Sequence, residues 1–199
     1  MTRHCSPAIR SSVLVALALL VAWAPGAASQ DRGATDRSAP VRYTALAVRT
    51  VGVAATQPIE ITIERWTTNP EHEKLNVELL EGGSRLLEAM REMPDIGRLS
   101  SPGAVGFPLK YARRVPRADG AEDVTIITER QMSFWEASQM GRSTEYPFTL
   151  IEFHLDSRGQ GEGRVLVATQ LSYNPGTRQV VVENFESGPV LLQGVRRVD

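Results

Sequence analysis

Residues 148–195 read FTLIEFHLDSRGQGEGRVLVATQLSYNPGTRQVVVENFESGPVLLQGV, and this stretch decides the fold. Four apolar runs, Phe148 to Leu155, Arg164 to Tyr173, Gln179 to Phe185 and Val190 to Val195, are rich in β-branched and aromatic residues. They are separated by DSRGQG (156–161), NPGT (174–177) and SGP (187–189), which carry turn residues. Short links between consecutive strands predict an up-and-down antiparallel meander. In the first run Ile151, Phe153 and Leu155 alternate with Glu152 and His154. In the second, Val165, Val167, Thr169, Leu171 and Tyr173 share one face, opposite Arg164, Gln170 and Ser172. Alternation of this kind places one side of a sheet on a core.

Two earlier strands are expected from Arg42 to Arg49 and from Ile59 to Trp66, the second with Ile59, Ile61 and Ile63 on one side and Glu60, Thr62 and Glu64 on the other. The period then changes. Thr68 precedes Glu71 by three residues, a capping-box spacing, and Pro70 is tolerated in a first turn, so a helix is expected to about Leu80, where Gly82-Gly83 stops it. Ser84 is positioned to cap a second helix carrying Leu86, Leu87, Met90 and Met93 on one stripe, up to Pro94. Gly97, Pro102-Gly103 and Gly106 read as a loop, and strands are expected from Leu109 to Val115 and from Val124 to Glu129. Residues 131–146 have no clean period and read as a long irregular connection. The fold class is therefore α+β: a mainly antiparallel sheet of about eight strands, as a curled sheet, barrel or sandwich, with a short helical pair after the second strand.

The chain has 199 residues, and its 22 basic and 23 acidic side chains nearly balance. Such a balance gives no field to attract nucleic acid. Arg3 and Arg10 precede the apolar run from Val13 to Trp23, which ends in Ala24-Pro25-Gly26-Ala27-Ala28-Ser29. A positive start, a short apolar middle and a small-residue exit predict a signal peptide over 1–29, too short in its apolar part to span a membrane. Residues 30–40 (QDRGATDRSAP) read as a flexible leader, and 41–199 as one domain. Cleavage removes Cys5, the single cysteine, and with it disulfides, thiol nucleophiles and thiolate metal sites. It also removes two arginines and no acid, so the exported chain, periplasmic or extracellular, is mildly acidic.

The segments Thr128-Glu129-Arg130, Ser133-Phe134-Trp135-Glu136, Tyr146 through Glu152, Gly161-Glu162-Gly163, and Glu183-Asn184 through Pro189-Val190 resemble a family of exported bacterial proteins of unknown function. Residues 61–66 (ITIERW) and 110–113 (KYAR) are similar to the same family. The resemblance implies export and a single domain, and it assigns no catalytic residue.

Few constellations are available for chemistry. His72-Glu73-Lys74-Leu75-Asn76 has the start of a zinc-protease helix, but the position that should supply the second imidazole is Asn76. His72 is therefore expected to be a solvated histidine. Glu152, His154 and Asp156 form a period-two row that could serve as an acid–base patch or weak metal site, although strand alternation alone accounts for it. The glycines of Gly159-Gln160-Gly161-Glu162-Gly163 are expected to occupy positive-φ hairpin positions, since no phosphate-loop lysine follows. No cofactor or metal is expected. The aromatic residues Trp66, Phe134, Trp135 and Tyr146, with Glu136, are the candidate ligand-binding residues. They point to an exported binding domain for a small apolar ligand or an envelope partner, without catalysis. The alternative is a glycan hydrolase using two carboxylates among Glu129, Glu136, Glu152 and Glu162.

Overall fold

The computed structural model describes residues 40–50, 54–130, 145–185 and 188–198. The signal-peptide and leader expectations, and residues 131–144 of the long connection, lie outside the described residues. Ten strands form one antiparallel sheet in the order β4-β3-β2-β1-β10-β8-β7-β6-β5, with β9 paired to β8. They are β1 (Val41–Arg49), β2 (Ala55–Ile63), β3 (Gly97–Ser100), β4 (Phe107–Leu109), β5 (Tyr111–Pro116), β6 (Glu122–Glu129), β7 (Phe148–Leu155), β8 (Gln160–Asn174), β9 (Gln179–Asn184) and β10 (Val190–Val198). Helices α1 (Asn69–Glu81) and α2 (Gly83–Glu92) lie between β2 and β3, so the expected α+β class, with its helical pair after the second strand, is the one observed.

The sheet curls into a nearly closed barrel. Just beyond β2, Thr67 donates its backbone N–H to the carbonyl of Ala112 on β5 (3.0 Å) and accepts the Ala112 N–H on its side-chain Oγ1 (3.0 Å). Thr128 on β6 donates its hydroxyl to the Pro108 carbonyl of β4 (2.7 Å). The two ends of the sheet thus meet through single bonds and not a full ladder. The stretch expected to be a loop after Gly97 contains β3 and β4 as a short hairpin, Gly97 facing Leu109 across it. Glycine and proline hid these strands from the pattern: Gly97 lets its backbone approach Thr62, whose carbonyl oxygen would lie 2.1 Å from an added β-carbon, and Pro108 offers no N–H to a ladder.

Inward side chains fill the barrel. Tyr43, Ile61, Ile126, Ile151, Phe153 and Leu192 are all buried in one cluster, with the Tyr43 and Phe153 rings edge to face at 4.9 Å. The interior of a small barrel is just wide enough for such filling. A second cluster lies outside the barrel wall, where Leu75, Leu79, Leu86 and Met90 of the helices cover Phe148 and Leu171.

Strand β8 serves both clusters, which corrects the expectation of one shared face. The β7–β8 register shifts between Phe148, opposite Thr169, and Leu150, opposite Leu166. A bulge inserts one residue and reverses which parity faces which side. Val165 therefore packs in the barrel, whereas Leu171 packs under the helices. The strand also begins at Gln160, earlier than its turn-like glycines indicated. Gly159 does hold a positive φ of 73° in the turn, but Gly161 and Gly163 lie within β8 and pack against β7.

Helix α1 starts as its sequence predicts. Thr68 Oγ1 accepts from the Glu71 N–H (3.4 Å), and Glu71 Oε2 accepts from the Thr68 N–H (2.8 Å) and from Arg65 Nη1 (2.9 Å). The second helix departs from expectation, since Gly82 precedes it and no side chain caps it. Burial pushes the Glu71 carboxyl up, but the bonds from Arg65 and Thr68 outweigh it and hold the group below its ordinary value of 4.5. A lowered carboxyl stabilises the fold above its unfolded value and loses that contribution as pH falls through the folded one. Thr68→Ala is expected to cost about 1 kcal/mol in urea denaturation. The gap in Tm between wild type and Glu71→Gln should shrink as pH drops through and below 4.5; a gap independent of pH contradicts the cap's charged state.

Candidate functional site

The helix pair does not seal the whole barrel wall. Between α1 and the outer face of β5 to β9 runs a cleft of about 360 Å³. Leu75, Leu79, Leu86 and Met90 form its helical side, facing Ile127, Leu150 and Leu171 on the sheet. Val180 and Val182 of β9 are at its mouth, 52% and 41% exposed. This site is assembled from segments about a hundred residues apart in the chain, and the bulge in β8 is what turns Leu171 toward it.

The polar groups of the cleft are ordered by one helix turn. Asn76 Nδ2 lies 3.1 Å from His72 Nε2, an i,i+4 pair on α1, and His72 Nδ1 lies 3.1 Å from the Tyr111 hydroxyl. The rings of His72 and Tyr111 are 5.9 Å apart. His72 is half-buried and bonded at both nitrogens, which corrects the expectation of a solvated histidine. Burial, then the charge of Arg113, push the His72 pKa down against a smaller opposite effect of Glu73, so the neutral ring is favoured. Burial raises the Tyr111 pKa, partly opposed by Arg113. Asn76, the residue that excludes the zinc-protease reading, is the partner that fixes the imidazole.

The row Glu152, His154 and Asp156 does not act together. Glu152 accepts from Arg164 Nε (2.8 Å), His154 Nδ1 lies 2.7 Å from Asp123 Oδ1, and Asp156 accepts the backbone N–H groups of Arg158 and Gln160 in the hairpin turn. The turn bonds from Gln160 and Arg158 lower the Asp156 pKa, while the bonds from His154 and Arg117 lower that of Asp123. Each of these carboxylates is thereby bonded to a neighbour, and Glu152, half-buried, also lines the cleft beside α1. Glu129, one of the four candidate hydrolase carboxylates, binds Arg91 at the end of α2. Among the described residues no group of three His, Cys, Asp or Glu side chains is placed to hold a metal ion. Nor is any described helix long and apolar enough to cross a membrane.

Of the candidate aromatic residues, Phe134, Trp135 and Glu136 lie outside the described residues. Trp66 packs against the barrel core under the Arg114 guanidinium, 5.2 Å from its ring centre. Tyr146 instead meets Phe185, ring centres 5.3 Å apart. Trp66 and Tyr146 thus go to separate surroundings, and neither lines the cleft beside α1. The cleft's own residues carried weak signals: the i,i+4 spacing of His72 and Asn76, and the apolar pair Val180 and Val182 on a short strand. No protein-family model, curated protein or solved structure matches this chain.

Proposed function

We propose that this chain is an exported binding domain that takes a small, mainly apolar ligand in the cleft between α1 and the outer face of the sheet. Export rests on the N-terminal pattern of Arg3, Arg10 and the apolar run to Trp23. Binding rests on one observation, the cleft of about 360 Å³ walled by leucine, isoleucine and methionine with a few ordered polar groups. Small-molecule sites have this make-up and fall between about 300 and 1,000 Å³. The barrel interior is filled by its own side chains, so the outer wall and not the lumen is the binding surface.

Decanol, as an apolar probe, is expected to raise the Tm of the mature domain. Val182→Trp should abolish that rise while leaving the unliganded Tm within about 2 °C, because Val182 is exposed at the mouth and an exposed substitution rarely exceeds about 0.5 kcal/mol. A panel of apolar probes that leaves the wild-type Tm unmoved, or a rise that persists in Val182→Trp, overturns the assignment.

A further inference from the structure

The apolar cleft opens onto a polar groove. On the outer face of the sheet lies a second, more open hollow of about 600 Å³, and the two share the lining residues Thr125 and Glu152. Register explains the junction. Thr125 on β6 faces Glu152 on β7, which faces Arg164 on β8; two residues along each strand, Asp123 faces His154, which faces Glu162. Side chains two apart on a strand share a face, so both rows border the groove. A ligand lying under α1 therefore meets a polar surface at one end.

What that surface offers is mostly acceptors. Arg164 places Nε (2.8 Å) and Nη2 (2.7 Å) on Glu152 Oε2, and Oε1 takes no part in that pair. Arg117 likewise places Nε (2.8 Å) and Nη2 (2.6 Å) on Asp123 Oδ2. Both cations are thus matched by acids. His154 Nδ1 lies 2.7 Å from Asp123 Oδ1, and an imidazole that donates there keeps, in its neutral form, a lone pair on Nε2. Glu162 is exposed opposite it, and Thr125 adds a hydroxyl where cleft and groove meet. Two arginines against three acids leave the groove with one negative charge in excess, which opposes an anionic head group. An ammonium head would meet both arginines as well as the acids. A hydroxyl donates to these acceptors and carries no charge to desolvate.

Resting on the binding function proposed above, we infer that the ligand is a single-chain amphiphile with an uncharged polyhydroxyl head, its chain under α1 along Leu75 and Leu150 and its head on Thr125, Glu152 and His154. Calorimetric titration of the protein with decyl glucoside, decyl sulfate, decylammonium and decanol, all below micelle formation, separates this from the parent reading. Wild type should bind decyl glucoside at least about tenfold more tightly than decanol, the scale of two net hydrogen bonds, and more tightly than either charged amphiphile. Thr125→Val removes the hydroxyl and keeps the branched shape, while His154→Phe removes Nε2 from a side chain that is 52% exposed. Each should weaken decyl glucoside severalfold with decanol unchanged. Equal wild-type affinity for the glucoside and decanol overturns the head-group inference and leaves the apolar cleft standing. A charged amphiphile that binds as tightly as the glucoside overturns the uncharged head. A glucoside preference that survives both substitutions overturns its placement on the groove. Binding of none of the four overturns the inference and the cleft together.

Discussion

Replacing Gly161 by alanine is expected to destabilise the domain by about 3 kcal/mol or more, at or above the top of the usual range of about 1–3 kcal/mol for overpacked sites. A β-carbon built on Gly161 lies 1.7 Å from the carbonyl oxygen of His154, 2.8 Å from its carbonyl carbon and 3.1 Å from Leu155 Cα. These are backbone atoms of β7, which no rotamer change can remove. Relief requires β7 and β8 to separate, which breaks the register at His154 with Glu162 and at Leu155 with Gly161. Alanine would otherwise be the favoured residue, because an extended glycine loses more conformational freedom on folding by roughly 0.5–1 kcal/mol. The measured sign therefore separates the cost of the close approach from the entropic gain of alanine. Gly163 is also tight, with Glu152 O at 2.3 Å and Phe153 Cβ at 2.5 Å, so Gly163→Ala should be destabilising but less so. Equilibrium urea denaturation of the protein reads both. A Gly161→Ala variant within 1 kcal/mol of wild type is incompatible with this packing.

The same glycines show why part of the fold was legible in sequence and part was not. The alternation of Ile59, Ile61 and Ile63 against Glu60, Thr62 and Glu64 identified β2, because a sheet with one wet face imposes period two directly. The Thr68 and Glu71 spacing identified the start of α1, because capping is satisfied within four residues. Local causes leave local signals. Gly161 and Gly163 have a cause on the neighbouring strand, and the commoner local reading, a positive-φ turn, took its place. The bulge in β8 is equally silent, since Val165, Leu166, Val167 and Ala168 are apolar on either parity.

The candidate site follows the same division. His72 and Asn76 could be paired from their spacing on one helix, and the failed metal motif drew the eye to them. Leu75, Leu150 and Leu171 are brought together by the helix insertion and the β8 register shift, and no pattern within any one segment marks them. Aromatic content favoured Trp66 and Tyr146 instead. Burial is the usual fate of large aromatic residues, and Trp66 is drawn to the nearest core.

Arg197→Met is expected to cost about 2–4 kcal/mol, and most of that cost should vanish in the double variant Arg197→Met/Glu122→Leu. Arg197 on β10 donates from Nη2 to Glu122 Oε1 on β6, although three positions separate those strands in the sheet order. The pair therefore links two strands that share no ladder, while the guanidinium lies 5.8 Å from the centre of the buried Tyr43 ring. The Glu122 side chain is 13% exposed and that of Arg197 30%, so solvent screens the cation better than the acid. Removing Arg197 leaves a nearly buried carboxylate without its partner, which is the expensive half of breaking such a pair. Removing both charges together relieves that penalty and also the buried Arg197 Nε, which has no partner among the described residues. A double-mutant cycle in urea should give a coupling above about 1.5 kcal/mol, well beyond the 0.2–1 kcal/mol of surface pairs. Coupling below 0.5 kcal/mol would place the pair with ordinary surface contacts.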